Sequence, residues 1–232
     1  MNIPLVSRLL AIVLFFAAFL PQTPAWALAR TQDVPDAFAL QIPLSGIVQI
    51  DANGDFTCAL TNSGGVKCWG FNNQGQLGDG TEVNRLTPVD VTGLSSGVKG
   101  VTTGAIHACA LLIDGTIKCW GNNSGGQIGD GTSGTNRLTP VAVSGMSTAV
   151  AVSAGEYHTC AVTASGRVRC WGSNAVGQIG DGSSGTTRLT PVTVPGITNA
   201  VAIGTSRFNS CAILATGALK CWGNNDSGQV GD

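Results

Sequence analysis

The residues with the clearest capacity for chemistry in this sequence are eight cysteines, which occur as four pairs. Nine residues separate the two members of each pair, and a tryptophan follows each second cysteine. The pairs are Cys58 and Cys68, Cys109 and Cys119, Cys160 and Cys170, and Cys211 and Cys221. Structural zinc sites usually draw their ligands from closely spaced C-x2-C pairs. The wider spacing therefore favours disulfide bonds over zinc binding.

Hairpin geometry accounts for the spacing of the cysteines. In the third copy, Gly155–Thr163 alternates and predicts a strand, Ala164–Gly166 predicts a three-residue turn, and Arg167–Gly172 predicts the returning strand. Pairing across this turn places Cys160 opposite Cys170 at a non-hydrogen-bonded site, where α-carbons lie about 4.5 Å apart. Disulfides accept α-carbon distances from about 4.4 Å. The other copies have equivalent turn glycines, namely Gly64, Gly65, Gly115 and Gly217.

Two histidines are the other groups suited to metal binding or proton transfer. His107 and His158 both stand two residues before a first cysteine, where the other copies have Phe56 and Asn209. A catalytic or metal-binding role in each copy would not survive that exchange. The sequence therefore favours structural histidines.

A recurring aspartate offers oxygen ligands for calcium. It stands within a glycine-rich loop at Asp79, Asp130, Asp181 and Asp232. Each loop has a single carboxylate, which is too few for a strong calcium site. Capping of a tight turn by the aspartate side chain explains the Asp-Gly sequence. We expect a structural role and keep weak calcium binding as the alternative.

One tryptophan per copy, followed by a glycine, could form a platform on which sugars stack. These residues are Trp69, Trp120, Trp171 and Trp222, with Gly70, Gly121, Gly172 and Gly223. A large aromatic ring beside small residues is also what packing between repeated units requires. The sequence favours the packing role.

The elements that must position these residues are four repeats. Successive first cysteines are 51 residues apart, and each copy contains enough strand-like sequence for about four short antiparallel strands. Each Arg-Leu-Thr-Pro-Val segment precedes a short strand such as Val192–Val194. Four strands make one blade of a β-propeller. We predict an all-β fold with repeats at 44–94, 95–145, 146–196 and an incomplete 197–232.

The first 27 residues predict a secretory signal peptide. Arg8 precedes the apolar run Leu9–Leu20, and Ala25-Trp26-Ala27 matches a cleavage site. Twelve apolar residues span about 18 Å as a helix, which is too short for a membrane of about 30 Å. We therefore expect residues 28–43 to be a linker, no membrane attachment after cleavage, and a secreted, periplasmic or cell-surface location. Paired cysteines are typical of such compartments.

Composition excludes some functions. Charged residues make up 11% of the chain and the net charge is −1, without a lysine or arginine block, which argues against nucleic-acid binding. The sequence has no phosphate-binding loop and no nucleophile motif. We expect no cofactor and no catalysis.

The repeated phrase His-x-Cys-Ala, followed by Cys-Trp-Gly-x-Asn and Gly-Gln-Leu/Ile-Gly-Asp-Gly, resembles the repeat of the regulator of chromosome condensation family. The second copy shows it in full, with His107, Ala110, Gly115, Trp120, Gly121, Asn122, Gly126, Gln127, Gly129 and Asp130. The resemblance runs from about Gly46 to Asp232. It implies a seven-bladed propeller, of which this sequence supplies about three and a half blades. We expect the remaining blades to come from further C-terminal sequence or from another chain.

The sequence favours a binding function: an exported, cysteine-containing propeller scaffold that binds an unidentified protein partner. One alternative is guanine-nucleotide exchange on a small GTPase, which the resemblance suggests through the family's best-known member. The other is a secreted glycan-active enzyme, for which Glu156 is the unusual residue because it occurs in one copy only.

Overall fold

The structure, a computed structural model, describes residues 44–231. These residues form fifteen strands in four separate antiparallel sheets, each of which is one propeller blade. Within 44–231, no helix is long and apolar enough to cross a membrane. The predicted signal peptide 1–27, the predicted linker 28–43 and Asp232 lie outside the described residues.

The strands follow the chain from one edge of each sheet to the other. Blade 1 contains β1 (Ile47–Asn53), β2 (Phe56–Thr61), β3 (Val66–Gly70) and β4 (Arg85–Asp90). Blade 2 contains β5 (Val98–Thr103), β6 (His107–Leu112), β7 (Ile117–Gly121) and β8 (Arg137–Ala142). Blade 3 contains β9 (Ala149–Ala154), β10 (His158–Thr163), β11 (Val168–Gly172) and β12 (Arg188–Thr193). Blade 4 contains β13 (Ala200–Thr205), β14 (Asn209–Leu214) and β15 (Leu219–Gly223).

The central hairpin of each blade has the register that the cysteine spacing predicts. Cys160 pairs with Cys170, and the two form a disulfide with α-carbons 4.1 Å apart. The turn between them is closed where the Thr163 amide donates to the Arg167 carbonyl, and Gly166 adopts a φ of +74° there. The other three cysteine pairs form the same bond. No described cysteine is free.

Two strand predictions need correction. The fourth strand of blade 3 includes the Arg-Leu-Thr-Pro-Val segment and begins at Arg188, rather than covering only Val192–Val194. Pro191 fits inside it because β12 is an edge strand, where a missing amide donor is tolerated. The predicted strand Gly155–Thr163 is also wrong at its start. Gly155, Glu156 and Tyr157 form a turn, closed by the Gly155 amide on the His158 carbonyl, and the strand starts at His158.

The hydrophobic core lies between blades rather than within one blade. One face of blade 2, with its disulfide, Ile117 and Ile128, packs against Ala161 and Trp171 of blade 3. Equivalent clusters join blade 1 to blade 2 and blade 3 to blade 4. Each blade thus covers the preceding blade's apolar face, so the repeats depend on their neighbours for stability.

Candidate binding surface at the loop face

Three of the four recurring tryptophans donate a hydrogen bond to the preceding blade. The Trp171 indole nitrogen donates to the Gln127 carbonyl at 2.9 Å, and Trp171 is fully buried. Trp120 and Trp222 donate in the same way to Gln76 and Gln178, also at 2.9 Å. These rings pack against the preceding blade, as a packing role requires. Trp69 is half-buried, and no blade within 44–231 precedes its own.

The two histidines extend these bonds between blades. His107 Nε2 lies 2.9 Å from Thr159 Oγ1, and that hydroxyl donates to the Gln127 carbonyl. The hydroxyl proton is therefore occupied, so His107 donates from Nε2 and leaves Nδ1 as a lone pair without a partner. His158 makes the equivalent bond to Ser210 Oγ at 2.9 Å.

Both histidines are neutral at ordinary pH. Burial, with His158 adding in the same direction, lowers the pKa of His107 to about 3. Burial lowers the pKa of His158 to about 4, while the Asn209 backbone acts in the opposite direction. Burial and the hydrogen bonds to Thr159 and Ser210 support a structural role for both histidines.

The recurring aspartates are engaged by their own loops. Asp79 accepts from the Thr81 amide and hydroxyl through one carboxylate oxygen and from the Arg85 guanidinium through the other. Burial raises the pKa of Asp79, but the hydrogen bonds from Thr81 and Arg85 outweigh it, so the pKa lies below its usual value. Asp130 and Asp181 have equivalent partners. Asp232, the fourth member of this series, lies outside the described residues.

Calcium would have to displace these partners. Both oxygens of each described loop aspartate already accept hydrogen bonds within the loop. Among residues 44–231, no group of three or more histidine, cysteine, aspartate or glutamate side chains is arranged to hold a metal ion. This arrangement supports the turn-capping role.

Some of the positions that differ in all four repeats point to a different surface. One adjacent pair lies in the turn between the first two strands, and we call its four copies the inner turns: Gly54–Asp55, Ala105–Ile106, Glu156–Tyr157 and Arg207–Phe208. A second pair lies early in the long loop after the third strand, at Asn73–Gln74, Ser124–Gly125, Ala175–Val176 and Asp226–Ser227. Because alternate connections of an antiparallel sheet meet at the same end, both pairs lie on one face of the molecule. We call this end the loop face.

Backbone hydrogen bonds tie the inner turns to the long loops although the side chains of the turns vary. In blade 3 the Tyr157 carbonyl accepts from the Ser173 amide at 2.8 Å, which ties the inner turn to the long loop. Asp55, Ile106 and Phe208 make the equivalent bond through their carbonyls. Neighbouring turns also abut, because a side chain at Gly104 would collide with the Gly155 carbonyl oxygen. Backbone bonds therefore hold these turns in a continuous row and leave their side chains available.

An ion pair joins the inner turns of blades 3 and 4. Arg207 Nε lies 2.5 Å from Glu156 Oε2, and the Arg207 guanidinium carbon lies 4.9 Å from the centre of the Phe208 ring. The Arg207 side chain remains 73% exposed, whereas that of Glu156 is 18% exposed. A cavity of about 190 Å³ is lined by Asn53, Ala105, Glu156 and Arg207, so inner strands or turns from all four blades border it.

Glu156 is unusual in the sequence because it occurs in one copy only, but the alternation around it predicts a strand rather than this turn. Comparison of the four repeats is the sequence signal that identifies these positions. Exposed positions whose residues change while the scaffold stays constant are typical of recognition surfaces. The cysteine, tryptophan, glycine and aspartate positions, by contrast, are constant because the blades need them.

Four sheets of this kind define the class of the molecule as a β-propeller protein. The family model for the regulator of chromosome condensation (RCC1) repeat matches residues 47–76, 98–127, 149–178 and 200–229, and a second model with the same description matches 63–111 and 114–162. The chain belongs to the RCC1 repeat family. Each match of the first model starts at the first residue of a blade's first strand.

Similar proteins support the same fold. The ultraviolet-B receptor UVR8 of Arabidopsis thaliana is 31% identical over 191 residues, which are 80% of this chain and 43% of the receptor. The structure of human WBSCR16 has a TM-score of 0.72 at 23% identity, covering 82% of this chain and 51% of WBSCR16. Prp20p of Saccharomyces cerevisiae, described with its binding to Gsp1p and histones, has a TM-score of 0.71 at 24% identity, covering 80% and 47%. The chain thus spans about half the length of these relatives.

Proposed function

We propose that this chain is an exported scaffold that binds a protein partner through its loop face and performs no catalysis of its own. The observation that carries the proposal is the variation of the inner turns on a backbone that is otherwise held rigidly. Rigid elements that present variable side chains favour recognition, because little conformational freedom is lost on binding.

The compartment is part of the proposal. Four disulfides in one chain are typical of proteins that fold outside the cytosol. The predicted signal peptide at 1–27 supports the same location. Binding to a partner is consistent with the family, whose propellers include Prp20p, described with its binding to Gsp1p and histones.

The row of inner turns contains groups that are common in binding hot spots. Arginine and tyrosine are enriched there, and Arg207 and Tyr157 lie in neighbouring turns. The contact with Glu156 fixes the guanidinium of Arg207 while most of the side chain stays exposed. Glu156, on which the glycan-active alternative depends, therefore has a positioning role in this arrangement.

A capture experiment with a matched pair of arginine variants tests this proposal. The full-length, exported chain is used as bait in culture medium, alongside Arg207→Ala in an inner turn and Arg167→Ala in an exposed turn at the opposite end. We expect a partner that is recovered by the unmodified chain and by Arg167→Ala but is strongly depleted with Arg207→Ala. Recovery of background proteins alone, or equal recovery with both variants, would contradict it. Recovery of a small GTPase would instead support the exchange alternative.

A further inference from the structure

The inner turns border a cavity, and the sizes of their first residues explain why the space is open. The equivalent positions are Gly54, Ala105, Glu156 and Arg207, so two short residues are followed by two long, charged ones. The cavity of about 190 Å³ is lined by Ala105, Glu156 and Arg207, together with Asn53 at the end of β1. Because blades 1 and 2 have no long side chain at this position, they leave space that the charged side chains of blades 3 and 4 face.

The ion pair at this cavity has unused hydrogen-bonding groups. Arg207 Nε contacts Glu156 Oε2 at 2.5 Å, and the Phe208 ring packs against the guanidinium. Among residues 44–231, no other group accepts a hydrogen bond from Arg207, and none donates to Glu156 Oε1. The loop ion pairs differ, because both carboxylate oxygens of Asp79 accept hydrogen bonds within their own loop. The Nη groups of Arg207 and one oxygen of Glu156 are therefore available to a ligand.

The charges of the pair select the kind of group that can bind. The pair is neutral as a whole, so a carboxylate would bring a second negative charge beside Glu156, and an ammonium a second positive charge beside Arg207. A primary carboxamide avoids both, because its carbonyl oxygen accepts hydrogen bonds and its NH2 group donates them without a net charge. Such a group satisfies both partners and leaves no charge uncompensated, which keeps the cost of desolvation low.

The size of the cavity indicates a single side chain rather than a whole small molecule. Pockets that enclose small-molecule ligands usually have volumes of about 300–1,000 Å³. This cavity is smaller, at about 190 Å³. A side chain that projects from a bound protein therefore fits it better than a free ligand.

We propose that this cavity, which we call the carboxamide site, receives a glutamine or asparagine side chain of the protein partner. The side-chain carbonyl of the partner accepts from an Nη group of Arg207, and the side-chain NH2 group donates to Oε1 of Glu156. The contacts with Phe208 and Glu156 hold the guanidinium in place for this recognition. The inference rests on the proposed function of the loop face and names the chemical group that the face recognises.

Titration with short peptides tests the chemistry of the site without the partner. The probes are acetyl-Gly-Gln-Gly, acetyl-Gly-Glu-Gly and acetyl-Gly-Ala-Gly, each capped as the N-methylamide so that only the central side chain differs. The signal is the Nε–Hε resonance of Arg207 in the labelled full-length, exported chain, assigned by its loss in Arg207→Ala. We expect the glutamine peptide to bind with a dissociation constant on the order of 1–10 mM, and the glutamate and alanine peptides to bind at least about 10-fold more weakly.

The variant Glu156→Gln makes the test specific to this site. It removes the negative charge with little change in shape, so the glutamate peptide should now bind at least about 10-fold tighter than the glutamine peptide, through a charge-assisted bond to Arg207. Glu82→Gln is the matched control, because Glu82 is exposed in the long loop of blade 1, and this variant should keep the preference for glutamine.

The outcomes separate this inference from the proposed function. An absent response to the glutamine peptide, equal or tighter binding of the glutamate or alanine peptide, or a preference that Glu156→Gln leaves unchanged would each overturn the carboxamide site. Capture of a partner that depends on Arg207, together with any of these results, would leave the proposed function standing. Selective binding of the glutamine peptide without a captured partner would instead support the carboxamide site and contradict the proposed function.

Discussion

The seam between blades 2 and 3 and the inner turns above it belong to the same two blades but follow opposite rules. In the seam, Trp171 and the Cys109–Cys119 disulfide occupy positions that are constant in every repeat, and here they are fully buried. In the inner turns, Glu156 and Tyr157 occupy positions that differ in every repeat and remain partly accessible. The difference separates the residues that build the scaffold from those available for recognition.

The largest effect should come from removing a seam tryptophan. Trp171→Ala loses a fully buried ring and its bond to Gln127, at an expected cost of about 3–5 kcal/mol in the free energy of unfolding. Trp69→Ala is the matched control and should cost about half as much or less, because Trp69 is half-buried. Denaturant unfolding at low protein concentration measures both. Equal losses would show that burial in the seam is not what stabilises the scaffold.

Removing a disulfide should cost less than removing the buried tryptophan. Cys160→Ala with Cys170→Ala opens a small loop, and the chain-entropy model assigns roughly 2–3 kcal/mol to that closure. The same double substitution at Cys211 and Cys221 should cost less, since those residues are only partly buried and less packing is lost. Denaturant midpoints compare the two. Peptide mapping without reduction should give four links within hairpins, and links between blades would refute the assignment.

Acid should weaken the seams before it affects the aspartate loops. In the folded protein the pKa of His107 is about 3 and that of His158 is about 4, whereas the ordinary histidine pKa is 6.5. Below pH 6.5 the unfolded chain therefore binds more protons than the folded chain. The contribution of each histidine to the free energy of unfolding is fully present above about pH 6.5. It is lost as the pH falls toward 4, and the loss is on the order of 3 kcal/mol for each histidine. The loop aspartates, whose pKa values lie below the usual one, lose their contribution only below about pH 4.

The variant His107→Phe, which copies the residue of blade 1, isolates the seam contribution to this pH dependence. It should flatten the decline of unfolding free energy between pH 6.5 and 4.5. An unchanged slope in this variant would mean that the histidines do not cause the acid sensitivity.

The smallest effect on stability should come from the inner turns. Arg207→Ala removes an exposed ion pair, and such pairs contribute at most about 1 kcal/mol. Thermal unfolding of Arg207→Ala and Arg167→Ala should therefore give similar midpoints. A large loss in Arg207→Ala would place Arg207 among the scaffold residues and remove the contrast with the seam.

The sequence predicts the scaffold well because its signals are local or repeated. The cysteine spacing predicts the hairpin register, and the 51-residue period predicts the four blades. The sequence does not predict the inner turn of blade 3, because Gly155–Thr163 alternates like a single strand. The bend becomes visible only in the structure, where the Gly155 amide donates to the His158 carbonyl. The sequence also does not predict the hydrogen bond from Trp171 to Gln127, because that bond depends on how one blade packs against the next.

The most direct test of the account exchanges one inner turn for another. Replacing Glu156 and Tyr157 with alanine and isoleucine gives blade 3 the turn of blade 2, Ala105–Ile106, which this scaffold already accommodates. Calorimetry then measures the affinity for the partner captured by the unmodified chain. The account predicts an unfolding midpoint close to that of the unmodified chain and an affinity at least about 10-fold weaker, or about 1.4 kcal/mol. An unchanged affinity would contradict the assignment of recognition to the inner turns.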